Sequence, residues 1–179
     1  GEKPILIGER INPTGKSKFK QALREHDIEY ILKEGFAQAD KKVQVLDVNL
    51  GLPEIDEVAM LTEVVVKLQS VIDLPLQIDT SDPVALENAL RVYNGKALIN
   101  SVNGKEESMN SVFPLVKKYG GVVVALTLDE NGIPETVEGR LAIAKRIYEK
   151  AAEYGISKKD IIVDVLTMSI STDGQAANT

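Results

Sequence analysis

The stretch Leu76-Gln-Ile-Asp-Thr-Ser-Asp-Pro-Val-Ala-Leu-Glu-Asn-Ala-Leu-Arg-Val-Tyr-Asn-Gly-Lys-Ala-Leu-Ile-Asn100 holds two short apolar runs, each closed by a polar residue, with a helical pattern between them. Thr80-Ser-Asp-Pro83 offers an N-cap followed by Pro in a first helical turn. Residues 84–93 then run helically to the stop at Asn94-Gly95, and the next strand begins at once, at Ala97. The stretch therefore reads as one strand–helix–strand unit, with strands over 76–79 and 97–100 that end in Asp79 and Asn100.

The unit recurs in both directions. Residues 5–9 end in Glu9, 43–49 carry Asp47 and Asn49, 122–127 end in Thr127 and 161–164 end in Asp164. Between them, residues 56–71 place Val58, Leu61, Val65 and Leu68 on one helical face. Residues 105–119 read as a fourth helix, broken by Gly120-Gly121, and Thr136-Val-Glu-Gly139 leads into a long helix through Tyr154-Gly155. Strand and helix in strict alternation predict a parallel sheet covered by helices. A barrel and a doubly wound open sheet share this rhythm. Against the dinucleotide-binding form of the open sheet, no Gly-x-Gly-x-x-Gly turn follows the first strand. In a barrel the carboxyl ends of all strands open on one rim, so the strand-ending residues would converge on one pocket.

The 179 residues suit one domain, yet a full eight-unit barrel usually takes about 250. We expect one domain over residues 1–179, incomplete at its C-terminal end after about six βα units. A net charge of −6 argues against a nucleic-acid binder, which displaces counterions with clustered Lys and Arg. With no cysteine and only His26 among histidines, a Cys-based metal site, a His-dependent metal centre and a Ser/His/Asp triad are all hard to build. No apolar run approaches the roughly 18 residues of a membrane span, and no signal segment is evident, so the default is a soluble cytoplasmic protein.

Among polar residues, Asp79 stands at a strand tip, where its ordinary role would be to cap the next helix; Ser81 or Asp82 could do that equally well. Asn100 begins a run with Ser101 and Asn103, and an Asx turn explains Asn103-Gly104 better than it explains Asn100. Asp164 lies in the apolar run Ile161-Ile-Val-Asp-Val-Leu166, where an unpaired charge would be costly, so we expect it to have a partner. Two carboxylates and an amide suit a flat heterocycle with adjacent N–H donors, such as a pterin or guanine, but carboxylates at strand tips would also suit Mg²⁺. Spacing leaves both open. The first loop, Glu9-Arg10-Ile-Asn-Pro-Thr-Gly15-Lys-Ser17, is either a plain connection or a binding loop, and it lacks the P-loop pattern. His26 reads as a solvated residue between helical turns, and Met60, Met109 and Met168 as packing residues.

Taken together, Gly8-Glu-Arg-Ile-Asn-Pro-Thr-Gly-Lys-Ser-Lys-Phe19, Leu46-Asp-Val-Asn49, Gln77-Ile-Asp-Thr-Ser81, Ile99-Asn-Ser101 and Ile161-Ile-Val-Asp164 resemble the pterin-binding domain of cobalamin-dependent methionine synthase and the related methyltetrahydrofolate:corrinoid methyltransferases. The resemblance runs through essentially the whole chain. It implies a TIM (β/α)8 barrel of the dihydropteroate-synthase-like type, truncated after about six units, that binds 5-methyltetrahydrofolate at its rim. Asp79, Asn100 and Asp164 match the family's pterin-holding and catalytic positions, Asp47 and Asn49 its second-strand motif, and Gly15, Lys16 and Ser17 its first loop; Glu9 and Asn12 are secondary candidates. The implied reaction moves the N5 methyl group to cobalamin on a cobalamin-binding domain or corrinoid protein. Homocysteine would bind a further module, no metal would sit in this domain, and open sheet edges would allow a homo-oligomer. Dihydropteroate-synthase-like condensation and folate binding without catalysis are the alternatives. Val165 follows Asp164 where many relatives have Pro, a change expected to alter ligand contact little.

Overall fold

The computed structural model describes Ile7–Ile11, Pro13 and residues 16–165, with no side chain before Ile11. Six strands form one sheet: β1 (Ile7–Ile11), β2 (Val45–Val48), β3 (Leu76–Asp79), β4 (Leu98–Asn103), β5 (Val122–Leu126) and β6 (Ile161–Asp164). They lie in chain order, and every neighbouring pair is parallel. Six α-helices connect them: α1 (Ser17–Arg24), α2 (Ile28–Ala39), α3 (Glu57–Val71), α4 (Pro83–Val92), α5 (Glu106–Tyr119) and α6 (Val137–Glu153). Sequential order with a helix in each crossover is the arrangement of a TIM-type barrel wall, whereas a doubly wound sheet reverses its strand order. Among the described residues β1 and β6 each pair on one side only.

Local chemistry explains the boundaries. Asp27, Asp56, Asp82 and Thr136 each accept a backbone N–H of the helix that follows, which satisfies donors that a helix start leaves open. At the end of α5, Gly120 takes φ of 77°, a conformation that costs glycine nothing, and turns the chain into β5. The first crossover holds two helices rather than one, so residues 105–119 belong to the fifth helix. The chain breaks at His26, whose φ is 56°, and Asp27 caps a new helix. His26 is also more than a solvated turn residue, because its Nε2 lies 2.8 Å from Glu63 on α3.

The core lies between sheet and helices. Ile78, Ile99, Val123 and Ala125 face Leu61, Val65 and Leu68 of α3, Ala89 of α4, Phe113 of α5 and Ile147 of α6, all fully buried. Met60 and Met109 are buried in it as expected; Met168 lies outside the described residues. Burial alternates along the later strands. In β5, Val123 and Ala125 are buried while Val122, Val124 and Leu126 are half-buried. One face of the sheet is thus sealed by helices and the other, the inner face of the barrel wall, is more open.

Two strand readings change. β1 runs two residues further along the chain than expected, which places Glu9 within the strand. β4 continues to Asn103 and carries a register shift between Asn100 and Val102 against β5. That irregularity ends the strict alternation, so periodicity alone stopped the strand at Asn100.

Candidate functional site

Asp79, the last residue of β3, is the register partner of Asn100 within β4. Asp79 does not cap α4; Asp82 does, its Oδ1 accepting the Val84 N–H at 2.9 Å. Asp79 and Asn100 line a cavity of about 300 Å³ walled by the starts of α4 and α5, together with Thr80, Ser101, Asn103 and Lys105. Thr80 is nearly buried and links three elements. Its N–H donates to the Asn100 carbonyl at 3.1 Å, and its hydroxyl donates to Glu57 of α3 at 2.7 Å. The hydroxyl oxygen also accepts the Asp82 N–H at 3.1 Å. The strand tips are therefore tied to two helix starts.

One step lower on the same face, Asp47 of β2 pairs in register with Gln77 of β3. Both are 4% exposed, and Gln77 Nε2 donates to Asp47 Oδ1 at 2.6 Å. Asp47 does not line the cavity but stands beneath it, since Gln77 and Asp79, two residues apart, share a face. Asn49 follows β2. Its N–H donates to the Ile11 carbonyl, and its Oδ1 accepts the Gly51 N–H at 3.0 Å, an Asx turn that shapes the β2–α3 connection.

Asp164 is placed differently from expectation. It ends β6 level with Leu126 and on the open face, but it is exposed, as is Ile162 at 41%. The cost of burying a charge therefore gives no reason for Asp164 to need a partner, because β6 is the outermost strand of the described sheet. The residue is not without partners, and its carbonyl accepts both the N–H and the hydroxyl of the fully buried Thr127, each at 3.2 Å. Lys16 and Ser17 sit at the start of α1 and do not line the cavity. Asn12, Gly15 and the Glu9 side chain lie outside the described residues.

Sequence reasoning did not name as site residues several that the structure brings to the cavity or beneath it, among them Thr80, Ser101, Asn103, Lys105 and Gln77. Gln77 carried a signal, being an amide inside a buried strand. Asn103 does form the expected Asx turn, its Oδ1 accepting the Lys105 N–H at 2.9 Å, and it lines the cavity as well. The cavity wall holds the carboxylates of Asp79, Asp82 and Glu107 against the amine of Lys105. An acceptor-rich surface with amide and hydroxyl groups suits a neutral ligand rich in N–H donors. Among the described residues no group of three His, Cys, Asp or Glu could hold a metal ion, and no helix is long and apolar enough to cross a membrane.

Comparison with known proteins adds an independent line. A family model described as pterin binding enzyme matches residues 8–178. The chain is 32% identical over 174 residues to methionine synthase of Mycobacterium leprae, covering 94% of this chain and 14% of that protein. It is 31% identical over 175 residues to the methylcorrinoid:tetrahydrofolate methyltransferase of Eubacterium limosum, covering 96% and 64%. It thus spans less than two thirds of either relative. In structure it resembles dihydropteroate synthase from Vibrio fischeri, with a TM-score of 0.68 at 19% identity over 91% of this chain and 61% of that one. The Xanthomonas albilineans dihydropteroate synthase gives 0.67 at 19% identity over 97% and 66%. At such identities the likeness shows the fold alone.

Proposed function

Because the chain belongs to the family of pterin-binding enzymes, we propose that it binds the pterin ring of 5-methyltetrahydrofolate at the rim of its sheet and presents the N5 methyl group for transfer to a corrinoid. The observation that carries this reading is the pairing of Asp79 with Asn100 at one register level inside the cavity. A carboxylate accepts two parallel hydrogen bonds from an amino group and a ring N–H, and a neighbouring amide donates and accepts at the adjoining edge. Asp164, on the same face two strands away, would close the far side of the ring, and Asp47 would support the floor through Gln77. Lys16 and Ser17 would meet the anionic glutamate tail. We extend the assignment to all of residues 1–179 as one domain.

The chemistry asked of this chain is protonic. N5 leaves as a poor leaving group unless it gains a proton or strong hydrogen-bond donation as the methyl departs. The carboxylates, amide and hydroxyls of the rim would orient the ring and hold a donor near N5. Cobalamin, on a cobalamin-binding domain or corrinoid protein, supplies the nucleophile that takes the methyl group. One matched relative is named a methylcorrinoid:tetrahydrofolate methyltransferase, a name that couples the same two methyl carriers in the opposite sense, and another is named methionine synthase; homocysteine would meet the methyl group on a further module. Dihydropteroate-synthase-like condensation is the second reading, with which the shared fold is compatible.

Calorimetric titration of the chain with 5-methyltetrahydrofolate tests the reading. Saturable binding of one ligand per chain supports it. Absence of heat from a chain with a native circular dichroism spectrum would refute folate binding by these residues. Release of pyrophosphate from a pterin diphosphate and p-aminobenzoate would move the assignment to condensation.

A further inference from the structure

The β4 end of the cavity depends on a helix that does not line it. Gly104 follows Asn103, and its N–H donates to the Leu128 carbonyl at 2.7 Å. Its own carbonyl accepts a hydrogen bond from the Arg146 guanidinium of α6. A Cβ at Gly104 would stand 2.7 Å from Ile143 Cγ2 and 2.8 Å from the Leu128 carbonyl oxygen, so the backbone approaches α6 too closely for any side chain.

The same guanidinium lies 3.5 Å from the Asp129 carboxylate and 3.9 Å from that of Glu130. Glu130 in turn accepts the N–H of Glu106, the first residue of α5, at 3.0 Å. The N–H of Asn103 donates to Ser108 Oγ at 3.0 Å, and its Oδ1 holds the Lys105 N–H. Asn103, Lys105 and Ser108 line the cavity, whereas Arg146 is not among its lining residues. All three contacts are made by the one nitrogen Nη2, so the carbonyl takes a hydrogen bond while the two carboxylates, at 3.5 and 3.9 Å, are held chiefly by charge; a lysine would keep the charge but not the fixed donor direction of the planar guanidinium.

We propose that Arg146 is a positioning residue for the cavity: it clamps the Gly104 carbonyl to Asp129 and Glu130 and thereby sets where the end of β4 and the start of α5 hold Asn100, Asn103 and Lys105. The proposal rests on the pterin reading for its effect on ligand, but the clamp itself is a property of the free protein. Loss of the guanidinium frees the loop while leaving the buried face of α6 intact, because Ile143 and Ile147 carry that packing. Displacement of binding groups by a fraction of an ångström is enough to lower affinity.

The test compares Arg146→Met and Arg146→Lys with the unmodified chain by thermal unfolding, by amide NMR without ligand and by titration with 5-methyltetrahydrofolate. The backbone amides of Asn103, Lys105 and Ser108 shift in both variants, while those of Leu61 and Val65 in α3 stay in place. Affinity falls on the order of tenfold in Arg146→Met, and Arg146→Lys recovers stability more fully than affinity. Unmoved amides at Asn103 and Lys105, or an affinity loss that simply follows the loss of folded protein, would overturn the proposal. If the unmodified chain binds no folate, the functional reading fails, while the amide shifts still decide the role of Arg146.

Discussion

Gln77 holds Asp47 in place from the next strand, through a 2.6 Å hydrogen bond between two side chains that are both withdrawn from water. An ionised carboxylate only accepts, so the Gln77 amide must turn its Nε2 toward Asp47 and its Oε1 away. That oxygen is buried with no hydrogen-bond partner among the described residues. Beneath the rim, therefore, the wall keeps an oriented carboxylate and a spare acceptor, both on the face that Asp79 shares.

Gln77→Leu removes the donor and leaves Asp47 buried with fewer partners. The expected cost is about 1.5–3 kcal/mol, the usual loss for a hydrogen bond to a charged group, read as a lower urea midpoint at unchanged slope. Stability equal to that of the original chain would mean that the other interactions of Asp47 already suffice.

Asp79→Ala and Asp164→Ala separate the two carboxylates of the proposed pterin site. Asp79 is half-buried in the cavity, and its loss is expected to weaken 5-methyltetrahydrofolate binding by about 1.5–3 kcal/mol. Asp164 starts exposed and must give up water to reach the ligand, so its loss should cost less, about 0.5–1.5 kcal/mol. Titration calorimetry on folded variants reads both, and the reverse ranking would move the centre of the site toward β6.

Gly104→Ala forces a methyl group onto a backbone oxygen that has nowhere to go. Destabilisation of about 1–3 kcal/mol is expected from such overpacking, measured as a drop in Tm. A neutral substitution would show that α6 can move away from β4.

Acid stability has a specific contributor on the helices flanking the cavity. Glu87 of α4 accepts the Tyr119 hydroxyl at 3.2 Å, and that bond, followed by Lys118 and Arg91, holds its carboxyl below the usual range. A depressed carboxylate stabilises the fold at pH values above its unfolded pKa, and this contribution is lost as pH falls through the folded value. Tyr119→Phe should therefore reduce stability at neutral pH, with the difference from the original chain shrinking on acidification through the carboxylate range. Denaturant titrations from neutral pH to below the carboxylate range would show it; a difference that grew toward acid would contradict the assignment.

Much of the architecture is legible in the chain. The bounds of β3 follow from an apolar run that stops at a carboxylate, those of β6 from the polar residue within its run, and Asp56, Asp82 and Thr136 announce the helix starts they cap. Asp79 and Asn100, read as the tips of consecutive strands, do lie side by side, although β4 runs on past Asn100 to Asn103. What local pattern could not supply is exposure. Asp164 sits in an apolar run that suggests burial, yet its strand is the outermost one described, and only the assembled sheet reveals that. Nor could it supply the His26–Glu63 contact or the Arg146 clamp, since both depend on partners distant in sequence.

The register shift in β4 has a consequence for which side chain goes where. Asn100 is level with Val124, Val102 with Ala125, and Asn103 with Leu126, which is itself level with Asp164. Asn100 and Asn103 are three residues apart, an odd number, and an uninterrupted strand would send them to opposite faces. The one surplus residue, between Asn100 and Val102, inverts the parity of everything after it: Val102 goes to the helix side and Asn103 joins Asn100. One residue of slack thus acts as a phase switch, giving a single strand two amides on the inner wall while keeping its valine dry.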